Sequence, residues 1–391
     1  MRTFDPTQNS AHEYYRIDVP ARILTKLGVA VTRDTEVACR TEGDLASHLA
    51  AIAAHDVYHC FSTGGRAMEA LQKMMRRLPP YEEEGTAYPP PIWICDTNDN
   101  LDYIHPVHPS FAKLGTRLPD GRMLHTMLRE PIAERRIDIL LEGLDGRPEG
   151  RVKLWQDGEK NFDIKRNWRG IRSIQKQFRR AAGVSFTTDR LRQYYAESLK
   201  LKNTAVLPDS MIFEDYPDIR LAKTPGKVRV MWQGGDSHYP DFFPMAGTFR
   251  EAASRFPEIT WVIWGARYDW ITKAIPEDRI EFHEWVPYDA FKIKLAALDF
   301  DIAIAPLVDG LFNSGKSAIK FYEPSALPQP RPVLAANTPP YSDAILDGET
   351  GMLFDMPTGP ATAVSESFLT KLEALVRDGA LGVSPCQLHV L

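Results

Sequence analysis

No stretch of this chain stays apolar for the roughly 18 residues that a membrane span requires. No segment is repeated and none is of low complexity. The opening residues, MRTFDPTQNSAHEYYRIDVP, hold no apolar core and read as no secretory leader. Cysteine is sparse. Cys39, Cys60, Cys95 and Cys386 stand far apart with no C-x-x-C spacing. That excludes a zinc knuckle and a disulfide framework, and suggests buried free thiols in a reducing, cytoplasmic setting. Excess positive charge is also missing. The formal net charge of −5 gives no global attraction to nucleic acid. What is present is ordinary for globular protein: 43% hydrophobic and 25% charged residues over 391 positions, enough for two domains.

Periodicity points to an α/β protein. In the first half, strand signals fall at 57–61, 92–95, 137–141, 152–155 and 184–187. Helical spacing falls at 45–54 and 67–78, and 21–30 reads as a helix entering a strand. The second half is more regular. Strands at 228–232, 259–264, 280–283, 300–306 and 332–335 alternate with helices at about 244–255, 288–298, 317–327 and 365–377. Such alternation argues for parallel sheets, and the second half for one doubly wound domain. The polar, Pro-containing stretch 215–227 reads as a linker. A boundary near 220 gives domains 1–220 and 221–391.

The most informative stretch is 310–354, GLFNSGKSAIKFYEPSALPQPRPVLAANTPPYSDAILDGETGMLF. A polar loop with Lys316 and Ser317 runs into a helix carrying Lys320 and Glu323. A helix N-terminus with a nearby Lys suits a diphosphate. A carboxylate three residues on suits the two hydroxyls of a ribose. Upstream, Gly234 and Gly235 follow a strand, where two glycines let backbone approach a phosphate or sugar closely. A tight turn would use them equally well.

At these residues the chain resembles the GT-B glycosyltransferases, most of all the large retaining "group 1" family and its phage-encoded relatives. The likeness is strong over 228–355, moderate over 181–213 and weak over 1–160. It implies two Rossmann-like doubly wound domains facing across a cleft. It puts Lys320 and the Gly234-Gly235 loop on the diphosphate of a nucleotide sugar, a UDP-sugar, and Glu323 on its ribose. It further implies that backbone around Trp285 and Val286 reads the base and that anomeric configuration is retained. Because Lys320 and the helix N-terminus can stabilise the leaving diphosphate in place of a divalent ion, neither a metal nor another cofactor is expected. The family usually carries an earlier Glu eight residues before Glu323. Gly315 stands there, with Lys316 and Ser317 at hand to substitute.

Other constellations admit two readings each. Arg267, at a strand's carboxyl end, suits phosphates or a solvated loop. Trp285 suits stacking on a base or the core. Asp96-Thr97-Asn98-Asp99-Asn100, with His105 and His108 beyond, suits an acceptor-side loop in which Asp96, Asp99 or His105 is a general base, or an Asx turn. Its spacing fits no standard metal loop. Tyr15 and Arg16 suit either the cleft or the surface. The run 165–180 holds seven basic residues and no acidic one. On a helix, Lys165, Arg169, Arg172, Lys176 and Arg179 form one face, apart from an apolar stripe of Trp168, Ile171, Ile174 and Phe178. That ridge suits a polyanion, an anionic membrane or plain solvent. With the phage resemblance it favours a hydroxymethylated base in DNA as acceptor, in a host cytoplasm. A glycan, lipid or protein acceptor competes. So do a sugar-nucleotide epimerase and a non-catalytic polyanion-binding protein on the same fold.

Overall fold

A computed structural model describes residues 10–34, 51–61, 66–83, 86–105, 164–219 and 226–377, with shorter pieces at 2–4, 49, 108, 110–117, 121, 123, 138–140 and 151–153. The chain forms two compact units. One comprises Met1–Asp102, Ile164–Met211 and Gly315–Ser317; the other comprises Tyr103–Asp163, Ile212–Ser314 and Ala318–Leu391. A single cut at 220 therefore misses two excursions, Tyr103–Asp163 into the second unit and Gly315–Ser317 into the first. Gly315–Ser317 joins the first unit because Thr188 Oγ1 donates to the Gly315 carbonyl (2.9 Å) and Ser317 Oγ to Asp209 (2.6 Å). Of the expected linker, 220–225 lies outside the described residues, as do Cys39 and Cys386.

The strands, in chain order, are β1 (Arg2–Phe4), β2 (Thr32–Asp34), β3 (Val57–Phe61), β4 (Tyr81–Glu83), β5 (Thr86–Tyr88), β6 (Ile92–Thr97), β7 (Asp138–Leu140), β8 (Arg151–Lys153), β9 (Gly183–Phe186) and β10 (Thr204–Val206). The remaining six are β11 (Val228–Gly234), β12 (Ile259–Gly265), β13 (Ile280–His283), β14 (Ile302–Ala305), β15 (Val333–Ala336) and β16 (Met352–Phe354). β4 with β5, and β7 with β8, make two antiparallel pairs. The rest form two sheets, and every pairing in them is parallel.

The first unit's sheet runs β10-β9-β6-β3-β1-β2. Its inner strands read as apolar runs because parallel strands are covered on both faces. Tyr58, Cys60, Trp93 and Cys95 are all buried there. Cys60 lies opposite Cys95, both are free thiols, and burial pushes the Cys95 thiol up to about 12. The second unit's sheet runs β13-β12-β11-β14-β15-β16. That is the doubly wound order in which the chain reverses direction beside its first strand, here between β11 and β14. Trp232, Trp261, Trp264 and Phe249 fill its core. The terminal helix Glu366–Arg377 buries Phe368, Leu369, Leu372 and Leu375, and its preceding Ser365 accepts a bond from Phe368 N (3.1 Å).

The first long helix is irregular for a definable reason. Helical backbone continues from Ala11 to Lys26, but Tyr14–Asp18 is a π-turn in which Val19 N–H bonds the Tyr14 carbonyl five residues back. Pro20 follows. It has no N–H, and its ring crowds the carbonyl four residues earlier, so the turn widens. The widened turn buries four successive residues, Tyr14, Tyr15, Arg16 and Ile17.

Arg16 thus enters the interior. Its Nε donates to Asp96 Oδ2 (2.8 Å), Nη2 bonds Asp96 Oδ1, and Nη1 bonds the Leu207 carbonyl and lies 3.4 Å from Asp209 Oδ1. Ser185 Oγ donates to Asp96 Oδ1 at 2.5 Å. Burial works against the Asp96 charge, but the Arg16 guanidinium more than offsets it and holds the carboxyl below the usual range. At Asp209 burial wins, and its carboxyl is pushed up despite Arg16 and Ser317.

Breaking this pair strands a buried charge. Asp96→Asn is expected to cost roughly 3–5 kcal/mol in urea unfolding, whereas replacing Arg16 and Asp96 together by Met and Leu should recover most of it. The stabilisation from Asp96 is present above the unfolded value of about 3.9 and is lost as pH falls through its lower folded value. Asp209 has the opposite sign, destabilising as pH rises from its unfolded value through its folded one.

Candidate functional site

The carboxyl ends of β11 and β14, where the sheet order reverses, are where open α/β sheets bind ligands. β11 ends at Gln233-Gly234, and Gly235 is exposed just beyond. The short helix Ile319–Ser325 follows the β14 loop and carries Lys320 and Glu323. It is shorter than expected at both ends, with Pro324 inside it. Lys320 Nζ donates to the Gln233 carbonyl and lies 5.7 Å from the Trp232 ring centre. Gln233 Nε2 donates to Glu323 Oε2 (2.7 Å). One residue therefore holds both charged groups, its backbone taking the cation and its side chain the anion. Glu323 is 5% exposed and Gln233 6%. Gln233 Oε1 is buried with no hydrogen-bond partner among the described residues. Sequence reading missed Gln233, because a single polar residue ending an apolar strand carries no distinctive signal.

Gly234 and Gly265 are sterically required, whereas a Cβ at Gly235 would meet nothing within 4 Å. A Cβ at 234 would sit 2.6 Å from Trp232 Cζ2 and 3.2 Å from Lys320 Nζ. Gly265, at the equivalent end of β12, has φ +111°, and a Cβ there would meet the Gly234 carbonyl oxygen at 2.4 Å. Ala266 N donates to that same carbonyl (2.8 Å).

A second polar group lies in this unit. Asp241 is buried, and its Oδ1 accepts from Asn313 Nδ2 (2.7 Å) and Val308 N (3.2 Å). Its Oδ2 faces His238 Nδ1 at 3.0 Å. Burial, then the charges of Asp241 and Glu323, push the Tyr341 hydroxyl far above its ordinary value. Both carboxylates therefore share one buried neighbourhood with Tyr341.

Next to β12 and β13, Arg267 is exposed and stacks 4.9 Å over Phe282. Trp285 is not core. It is 53% exposed, with its ring 5.6 Å from Trp264 and 5.7 Å from Phe291. Val286 is half-buried. The Trp285 face is thus a supported aromatic platform, a geometry suited to stacking a flat ring.

The first unit answers other expectations differently. Asp96 does not fit a general base, because Arg16 and Ser185 occupy both its oxygens out of contact with solvent. Arg16 and Tyr15 are neither surface nor open to ligand, at 1% and 3% exposure. Asp99 is half-buried in a turn, its carbonyl accepting from Leu101 N (3.1 Å). His105 belongs to the other unit, where its carbonyl accepts from His108 N (2.8 Å). Ser317 is committed to Asp209, so it is not a donor ligand in this arrangement, and Lys316 clusters with it in the first unit. At Gly315 a Cβ would sit 3.2 Å from Leu191 Cδ1, so a Glu there would press on that side chain. Among the described residues no group of three or more His, Cys, Asp or Glu side chains is placed to hold a metal. The helix Ile164–Arg180 does expose Lys165, Arg169, Arg172, Lys176 and Arg179 and bury Ile171, Ile174 and Phe178, while Trp168 is half-buried. No helix among the described residues is long and apolar enough to cross a membrane.

No protein-family model matches the chain, and no curated protein matches it in sequence. Solved structures do match. A glycosyltransferase from Rickettsia africae superposes with a TM-score of 0.53 at 11% identity, covering 96% of this chain and 87% of that one. HepE of Anabaena, solved with UDP and glucose, gives 0.51 at 11% identity, covering 97% and 90%. At these identities the likeness is one of fold, and the fold is GT-B.

Gln233→Leu leaves the buried Glu323 without its amide donor. It is expected to cost about 1–3 kcal/mol in chemical unfolding. Gln233→Glu should cost more, and acidification should relieve it, because two buried carboxylates cannot both ionise easily.

Proposed function

We propose that the protein is a glycosyltransferase that moves a sugar from a UDP-sugar to an acceptor hydroxyl. The observation that carries this reading is the Lys320–Gln233–Glu323 group at the β11/β14 reversal. In this reading Lys320 and the Gly235 amide take the diphosphate, Glu323 takes the ribose hydroxyls, and Trp285 with Val286 flanks the base. Arg267 lies at the neighbouring strand end for the phosphates. The HepE structure with UDP-glucose, with a TM-score of 0.50 at 12% identity over 97% of this chain and 90% of that one, supports the donor class.

In the reaction the anomeric C–O bond to the diphosphate breaks as the acceptor oxygen bonds to the anomeric carbon. Lys320 stabilises the negative charge that develops on the leaving group, so no metal ion is required. Asp96, locked in an ion pair, does not serve as base. The acceptor proton passes to a leaving-phosphate oxygen, which goes with retention of configuration. The acceptor is a hydroxymethylated base in DNA, and the exposed cationic helix Ile164–Arg180 favours it over a glycan, lipid or protein.

Lys320→Ala and Glu323→Ala should each weaken UDP binding by roughly 2–5 kcal/mol in calorimetry. Unchanged affinity in both would refute the site. Turnover should persist in excess chelator, and loss restored by magnesium or manganese would refute metal independence. Sugar transfer is expected to hydroxymethylcytosine- or hydroxymethyluracil-containing DNA and not to plain DNA, with product anomers read by NMR.

A further inference from the structure

Two packed helices of the first unit carry a concentration of positive charge that the protein's overall balance conceals. Helix Arg66–Met75 lies against helix Ile164–Arg180, with Gln72 Nε2 donating to the Gln177 carbonyl at 3.0 Å. Glu69, Lys73 and Arg76 fall at i, i+4 and i+7, on one stripe. Glu69 reaches across to Lys176, and the field of Arg180 also acts on it. The stripe therefore abuts the cationic ridge, and exposed Lys73, Arg76 and Arg77 widen it. Segments 66–77 and 164–180 together hold eleven Lys and Arg and one carboxylate, Glu69, in a chain of net charge −5.

We infer that this two-helix face binds the phosphate backbone of duplex nucleic acid. Eight of the eleven cations are Arg, whose planar guanidinium matches phosphate oxygens in pairs. On the longer helix the exposed Lys165, Arg169, Arg172, Lys176 and Arg179 recur at each helical turn, about 5.4 Å apart. A duplex offers a phosphate every roughly 3.4 Å of axis on each strand, so a rigid helix laid along it meets several at once. A membrane-surface helix would instead present apolar side chains for insertion. Here Ile171, Ile174 and Phe178 are buried, and Met74 is the one large apolar side chain more than a third exposed among the described residues of the two helices. Contacts of this kind grip any sequence, holding a duplex without reading its bases. The inference deepens the acceptor reading above and rests on it for the purpose of binding, though not for the surface itself.

The test is fluorescence anisotropy of the full chain with a labelled duplex of unmodified DNA between about 50 and 200 mM salt. Affinity should fall steeply with salt. The pair Arg169→Gln and Arg172→Gln, and separately the pair Lys73→Gln and Arg76→Gln, should each weaken binding at low salt and lower the salt slope by about 0.9 per lost contact. Glu69→Gln should strengthen binding, and UDP affinity should not move in any of these. Folding of each variant is checked by its thermal melt. The inference is overturned by absent or salt-insensitive DNA binding, by unchanged slopes in both pairs, or by preferential binding to phosphatidylglycerol vesicles. Salt-sensitive duplex binding that the variants weaken, without transfer to hydroxymethylated DNA, supports the surface and sinks the acceptor assignment alone. Loss of UDP affinity in Lys320→Ala together with intact DNA binding likewise leaves the surface standing.

Discussion

A charge taken out of water must be met by partners, and this requirement organises both units. In the first, Arg16, Asp96 and Asp209 form one buried set that joins the opening helix to β6 and to the segment after β10. Remove the guanidinium and two carboxylates face each other inside an apolar sheet. In the second, Glu323 lies buried against the end of β11, answered by an amide hydrogen of Gln233. The two sets differ in consequence. Full ion pairing in the first makes its groups chemically inert. In the second, Glu323 is met by a neutral amide donor and not by a guanidinium bound to both of its oxygens.

The second unit's strands were legible because most are rich in apolar and β-branched residues and alternate with helical segments, and all five expected ones exist. β16, with only three residues after a turn, escaped notice. In the first unit β1, β2, β4, β5 and β10 were missed. Each is three residues long, and Arg2, Thr32, Arg33 and Asp34 give no apolar signal. They are strands because neighbours offer ladder partners, a tertiary cause that local pattern cannot express. The helix at 67–78 and the strand at 57–61 needed no such help.

The candidate site was legible in its charges and not in its supports. Lys320 and Glu323 stood out as a pair at helical spacing, and their strand-end surroundings agree with that. Gln233 did not stand out, nor did Asp241 with Asn313, because these contacts join residues far apart in the chain. Arg16 and Asp96 were legible as polar residues of interest but not as each other's partner, eighty positions apart. A sequence marks where chemistry is possible. It does not mark which groups have already spent their hydrogen-bonding capacity on one another.

The π-turn at Tyr14–Asp18 has a consequence for how this chain can vary. A widened turn is one extra residue slipped into an α-helix, so it shifts the phase of what precedes it. Each residue of an ordinary helix advances by about 100°. Deleting one position between Tyr14 and Asp18 would restore a plain helix and swing Arg16 away from β6. Substitutions along this stretch leave that phase unchanged, although one at Arg16 would unpair Asp96 and Asp209. A change in its length would be felt at once in the first unit's core, so the segment should be far more conserved in residue count than in residue identity.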